Sequence, residues 1–191
     1  MLDKTVPFAK LYMCRDAGTP VPEFSLPEGF RFVLYKDGDE KNWARLEASV
    51  LEFESEFAAL LFFKEYFIPN TDELYKRCLF IENEHGKKVA TATAWWSFVE
   101  GERRPWLQWV SVDPEHQGLG LGKAISSHIT KLLLEHEGDK AFYLSTQTWS
   151  YKAIDIYKQC GYEPTDEKLL YGKIYKGDYK KALRILEKLK R

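Results

Sequence analysis

The sequence predicts a mixed α/β fold in which a central, mostly antiparallel sheet is flanked by helices. Three observations predict it. Between Cys78 and Val112 strand-like segments follow one another with only short turns between them, which makes neighbours antiparallel. From Trp106 to Cys160 the pattern changes to a βαβα run. Several further stretches carry apolar residues three or four apart, the spacing of an amphipathic helix. At 191 residues, 45% apolar and 30% charged, the chain is long enough for one sizeable core and short for two.

The elements follow in order. Residues 1–29 are expected to be an extended N-terminal arm, because Pro20, Pro22 and Pro27 fix φ and remove donors; a single domain then occupies 30–191. Phe30 to Tyr35 is a first strand. Asp39 is placed to cap a helix through Trp43, Leu46 and Val50. A more apolar helix, Ser55 to Phe67, ends before Pro69, and Thr71 to Arg77 adds another turn. Cys78 to Glu82 and Lys87 to Val99 form a hairpin, since Gly86 supplies the positive φ that a tight turn wants. Gly101 to Pro105 reverses the chain into a strand from Trp106 to Val112. A helix from Gly120 to Glu135 shows Leu121, Ile125, Ile129 and Leu132 on one face. Ala141 to Gln147 is a strand, and Ser150 to Cys160 a helix stopped by Gly161. Leu169 to Tyr175 offers a last strand and Tyr179 to Leu189 an amphipathic helix.

Composition removes several functions. Lys plus Arg (28) nearly balance Asp plus Glu (29), so no overall field favours nucleic acid or an anionic membrane. The basic C-terminal stretch reads as a solvated helix face. Cys14, Cys78 and Cys160 are odd in number and widely spaced, with no zinc-like pattern, which points to reduced thiols and a cytoplasmic setting. No apolar run approaches the ~20 residues of a membrane span. His85, His116, His128 and His136 lack partners at ligand spacing, so no metal is expected.

The sharpest feature is Val110-Ser111-Val112-Asp113-Pro114-Glu115-His116-Gln117-Gly118-Leu119-Gly120-Leu121-Gly122-Lys123, between a strand and a helix. Glycines without Cβ let a ligand lie against the main chain, and the helix start favours an anion. A P-loop would need Ser or Thr after Lys123, where Ala124 stands. A GxGxxG fingerprint would place Lys123 or Ile125 at its third glycine. The segment instead resembles the pyrophosphate loop of the GNAT acetyltransferases: Gln or Arg, two residues, Gly, one residue, Gly or Ala, which Gln117 to Gly122 satisfies. Val110 to Pro114 is similar to the Val-x-Val-x-Pro end of the family's preceding strand. Downstream, Ala153, Ile156-Tyr157 and Gly161-Tyr162 match the family's second motif, with Ser150 where Asn is usual.

The resemblance implies an acyl-CoA N-acyltransferase fold, its sheet splayed between the strands Trp106 to Val112 and Ala141 to Gln147. It implies acetyl-CoA as co-substrate and direct acetyl transfer to an amine on a small molecule or protein. Cofactor binding would involve Val110, Val112, Gln117, Gly118, Leu119, Gly120, Leu121, Gly122, Lys123 and Ser150. Backbone amides of Gly118 to Lys123 would hold the pyrophosphate, the strand edge at Val110 and Val112 would pair with the pantetheine arm, and Tyr157 would protonate the leaving thiolate. A non-catalytic acyl-CoA-binding or sensing module is the alternative. Trp106 and Gln108, where many relatives place Glu or His, cannot take a proton, so a base must come from elsewhere or a water chain must serve. Glu54, Glu56, Glu100 and Glu102 are the candidates by position.

Overall fold

A computed structural model describes residues 2–99, 101–166 and 176–189. The chain runs β1 (Lys10–Arg15), β2 (Phe30–Leu34), α1 (Glu40–Ser49), α2 (Glu56–Tyr66), α3 (Thr71–Arg77), β3 (Cys78–Asn83), β4 (Lys88–Val99), β5 (Glu102–Val112), α4 (Leu121–Glu137), β6 (Phe142–Gln147), α5 (Tyr151–Gln159), β7 (Glu163–Thr165) and α6 (Lys176–Leu189). Among the described residues one seven-stranded sheet has the order β2-β3-β4-β5-β6-β1-β7. All neighbours are antiparallel except β5 and β6, which are parallel and meet only at Trp106 opposite Tyr143. This is the mixed α/β, mostly antiparallel and splayed sheet that the sequence leads one to expect.

Each face of the sheet buries its own apolar set. Along β3 the side chains alternate. Leu79 and Ile81 join Leu121, Ile125, Ile129 and Leu133 of α4, whereas Cys78 and Phe80 join Trp43 and Leu46 of α1, Phe63 of α2 and Phe67 just after it. Trp43 is fully buried, its ring 5.2 to 6.2 Å from those of Phe53, Phe62, Phe63, Phe67 and Trp109. Such pairs contribute about 0.5–1.5 kcal/mol each beyond area burial, so this aromatic knot fixes α1 and α2 over the end of β5.

Several expectations are corrected. Residues 1–29 do not form an arm outside the sheet: Lys10–Arg15 is β1, lying between β6 and β7 with Leu11 and Met13 in the core. The proline-rich residues that follow are the connection to β2. β5 begins at Glu102 rather than Trp106, since Val99 already pairs with Glu102 and Gly101, with φ 83°, lies in the turn between them. Asp39 precedes α1 but makes no capping bond; its carboxylate accepts from Lys36 N–H and from Asn42 Nδ2 instead. Ser55 does cap α2, accepting from Ala58 N–H at 3.1 Å. β7 is a short edge strand, where Pro164 is tolerated. The strand expected at Leu169 to Tyr175 lies outside the described residues.

Candidate active site

The loop after β5 has the geometry its glycines allow. Gly118 and Gly120 adopt φ of 86° and 81°, left-handed values that a residue with a Cβ takes only under strain. Gly120 is the residue before the first turn of α4. Among the described residues the amides of Gly118, Leu119, Gly120, Leu121 and Gly122 have no acceptor, so a row of donors opens at a helix N-terminus. Gly122 serves packing: a Cβ there would lie 3.2 Å from Ile156 Cδ1 and 3.8 Å from Val112 Cγ2, so α4, α5 and β5 meet closely at this point. Gln117 Nε2 donates to the Val112 carbonyl at 3.0 Å, tying the loop to the strand end. Leu119 is exposed, Leu121 is buried in the core, and the Lys123 ammonium lies over the Phe24 ring at 5.9 Å.

Asp113 anchors the entry to that loop. Its carboxylate lies 3.0 Å from Lys87 Nζ and 3.3 Å from Arg45 Nη1, and accepts from Glu115 N–H. Asp113, Glu115 and His116 bring ligand-type atoms within 4.8 Å of one another, and the Asp113 carboxylate among them is engaged by Lys87, Arg45 and the Glu115 amide.

Beyond Trp106 and Tyr143, β5 and β6 part, and the opening holds a cavity of about 300 Å³. Its walls include Leu107 to Val110 of β5, Leu144 to Gln147 of β6, Ser150, Ala153 and Tyr157 beside or on α5, and Phe62 and Tyr66 of α2. Of the residues singled out in the sequence, Val110, Ser150 and Tyr157 therefore share one cavity. Val112 and the glycine loop lie at the adjoining end of β5. Burial raises the Tyr157 phenol above its ordinary range, and the neighbouring carboxyls of Glu52 and Glu47 push the same way, so it keeps its proton at neutral pH.

A bulge shapes the β5 wall. Gln108 faces Thr93 and Ser111 faces Thr91, so two residues of β5 oppose the single Ala92. Trp109 takes φ 55°, and its ring turns into the aromatic knot around Trp43. The strict alternation expected for Trp106, Gln108 and Val110 is broken there, and consecutive residues from Trp106 to Val110 all reach the cavity.

Sequence reasoning missed one residue. Glu47 of α1 lines the cavity, is 1% exposed, and accepts from Ser111 Oγ at 2.6 Å through Oε1, while Oε2 has no partner. Burial outweighs that hydrogen bond and raises its pKa to about 8. The signal was present: Glu47 sits four residues after Trp43 and three before Val50, an acid on the apolar face of its helix. The expected candidates fare differently. Glu54 and Glu56 are exposed, Glu102 pairs with Arg104 at the far end of β5, and Glu100 lies outside the described residues. Ser150 stands at the start of α5 without a capping bond.

Comparison with known proteins agrees with this architecture. A model of the Acetyltransferase (GNAT) family matches residues 41–162. No curated protein matches the chain. Among solved structures, a GCN5-related N-acetyltransferase from Sphaerobacter thermophilus superposes with a TM-score of 0.66 at 19% identity, covering 84% of this chain and 49% of its own. A tandem GNAT protein from the clavulanic acid biosynthesis pathway, solved without AcCoA, gives 0.61 at 16%, covering 83% and 50%. A GCN5-related N-acetyltransferase from Ralstonia eutropha JMP134 gives 0.56 at 17%, covering 73% and 95%. The chain thus spans about half the length of the first two. At these identities the superpositions establish the fold.

Proposed function

Because the chain belongs to the acetyltransferase (GNAT) family, we propose that it transfers an acetyl group from acetyl-CoA directly to an amine. The observation that carries this reading is the junction of three features. These are a row of unsatisfied amides at the start of α4, a parted pair of parallel strands beside it, and a proton-bearing tyrosine in the cavity between those strands. The first suits a pyrophosphate, and the second leaves main-chain groups of β5 free to pair with an extended amide-bearing arm. Acetyl-CoA has both parts and supplies the acetyl thioester. The pathway protein described in its form without AcCoA supports the same donor.

Residue roles follow. Gly118 to Lys123 hold the pyrophosphate through their main chain, with Gln117 keeping the loop on Val112. Val110 and Val112 offer the strand edge, Ser150 lies on the α5 side of the arm, and Tyr157 holds the proton destined for sulfur. Residues 10–166 with α6 form one transferase domain, and a cytoplasmic setting suits Cys14, Cys78 and Cys160, which form no disulfide with one another.

The test is the melting temperature of the purified protein with acetyl-CoA, its 3′-dephospho analogue and NAD, followed by thiol release with an amine panel. Acetyl-CoA at 100 times its Kd stabilises by about 2.7 kcal/mol, and the expected result is a shift with the CoA species and none with NAD. Binding without turnover of any amine would instead favour an acyl-CoA-sensing module.

A further inference from the structure

The cavity between β5 and β6 is one-sided in its chemistry. Among the described residues its lining includes two carboxyl side chains, Glu47 and Glu52, and no lysine, arginine or histidine. Its two buried polar atoms without a partner, Glu47 Oε2 and Gln108 Oε1, are both oxygens, and Oε2 becomes an acceptor when Glu47 gives up its proton. An unsatisfied buried acceptor is costly, and a ligand that brings donors relieves that cost. A primary ammonium carries three donors and the charge that suits a carboxylate. Much of the remaining wall is apolar or aromatic: Phe62, Tyr66, Trp106, Leu107, Trp109 and Leu144. Indole and phenol faces accept both flat apolar bodies and cations.

We propose that the cavity takes a primary ammonium borne on an apolar or aromatic body without a carboxylate, and that the free oxygen of Glu47 holds this ammonium and takes its proton. The proposal rests on the acetyl-transfer reading above and names its acceptor class and its base. The ammonium gives one proton to Glu47 Oε2, and the lone pair so freed forms the N–C bond as the C–S bond breaks. The bonding pair leaves with sulfur, which takes the Tyr157 proton. The second proton lost by nitrogen restores that phenol, and the one on Glu47 returns to solvent. One ammonium and one thioester give one amide, one thiol and one released proton.

Among the described residues, the titratable groups that act on Glu47 are Glu52 from the segment after α1, Tyr157 from α5 and Cys78 from β3. None is a cation, so the pairing charge must come with the substrate. An acceptor with a carboxylate next to its amine would bring a further negative charge beside two carboxyls, of which only Glu52 has a nearby lysine, Lys4.

The test compares phenethylamine with phenylalanine, which differs by one carboxylate, as acceptors from acetyl-CoA. It uses the wild-type protein, Glu47→Gln and Ser111→Ala, with thiol release and the acetyl-CoA melting shift read on each. Phenethylamine is expected to be acetylated and phenylalanine to be slower by about tenfold or more. Glu47→Gln keeps the acetyl-CoA shift and loses about 10²-fold or more in kcat/KM. In the wild type kcat/KM rises with pH as Glu47, whose pKa burial raises to about 8, ionises, and falls once the amine loses its charge. In Glu47→Gln the profile only rises, toward the amine's own pKa. Ser111→Ala removes the hydrogen bond that lowers the Glu47 pKa, so the rising limb moves to higher pH. Turnover of phenylalanine equal to that of phenethylamine, no turnover of phenethylamine, or an unchanged rate and profile in Glu47→Gln overturns the proposal. A wild type with no acetyl-CoA shift overturns the donor reading along with it, and that missing shift tells the two failures apart.

Discussion

A carboxyl removed from water must find partners or hold its proton. Glu47 does the second, with burial moving its pKa from the ordinary 4.5 to about 8. Between those values the folded protein binds a proton that the unfolded chain has released. This group therefore favours folding less and less as pH rises through that window. A shift of this size corresponds to about 4–5 kcal/mol in total. Glu47→Gln has no proton to lose, so its stability relative to wild type should climb from about pH 5 to about pH 9 and then level off. Denaturation midpoints of the two proteins across that range provide the check, and parallel curves would rule out the assignment. Tyr157 could be named from its sequence because its neighbours in the chain carry the motif. Glu47 could only be suspected from its place on an apolar helix face, since the partner that fixes it, Ser111, is 64 residues away.

The loop and helix that begin at Gln117 were legible because everything that shapes them is local: glycines at alternate positions, then an apolar stripe at helical spacing. Gly120 is the sensitive point. With φ 81° and nothing within 4 Å of where a Cβ would stand, Gly120→Ala costs backbone strain rather than a clash, about 1–2 kcal/mol. That variant should melt lower and bind acetyl-CoA more weakly, because the amides on either side of it shift. Calorimetric titration beside a melting curve measures both, and unchanged affinity would mean that the loop's main chain is not the binding element. The β5 bulge was not legible. A tryptophan at φ 55° runs against its own backbone preference, and the aromatic knot contributed by Trp43, Phe53 and Phe62 from elsewhere in the chain is what holds it there.

At the scale of the molecule, β1 matters most for assembly. Its six residues pair with Gln147 to Phe142 on one side and, through Tyr12 to Cys14, with β7 on the other. Upstream, Ala9 exchanges hydrogen bonds with Thr148, and Val6 accepts from Trp149 Nε1. Leu11 and Met13 are buried; removing such side chains costs about 2–5 kcal/mol each, against a typical total of about 5–15. Deleting residues 1–16 is therefore expected to abolish cooperative unfolding, followed by circular dichroism, and a truncated protein that still melts sharply would refute it. The sequence hid this strand because Leu11-Tyr12-Met13-Cys14 offers no polar alternation and its partners lie far along the chain.

The order in which the strands are made differs from the order in which they pair. The half from β2 to β5 is contiguous, and a growing chain has every partner for it once residue 112 has emerged. β1 is synthesised before all of them, yet its partners end only at Thr165. Such long-range closure is slow, and unpaired strand edges invite wrong partners. Until residue 165 has emerged the chain therefore carries an apolar strand with an open edge, and these seven strands are all paired only when β1 has met both β6 and β7.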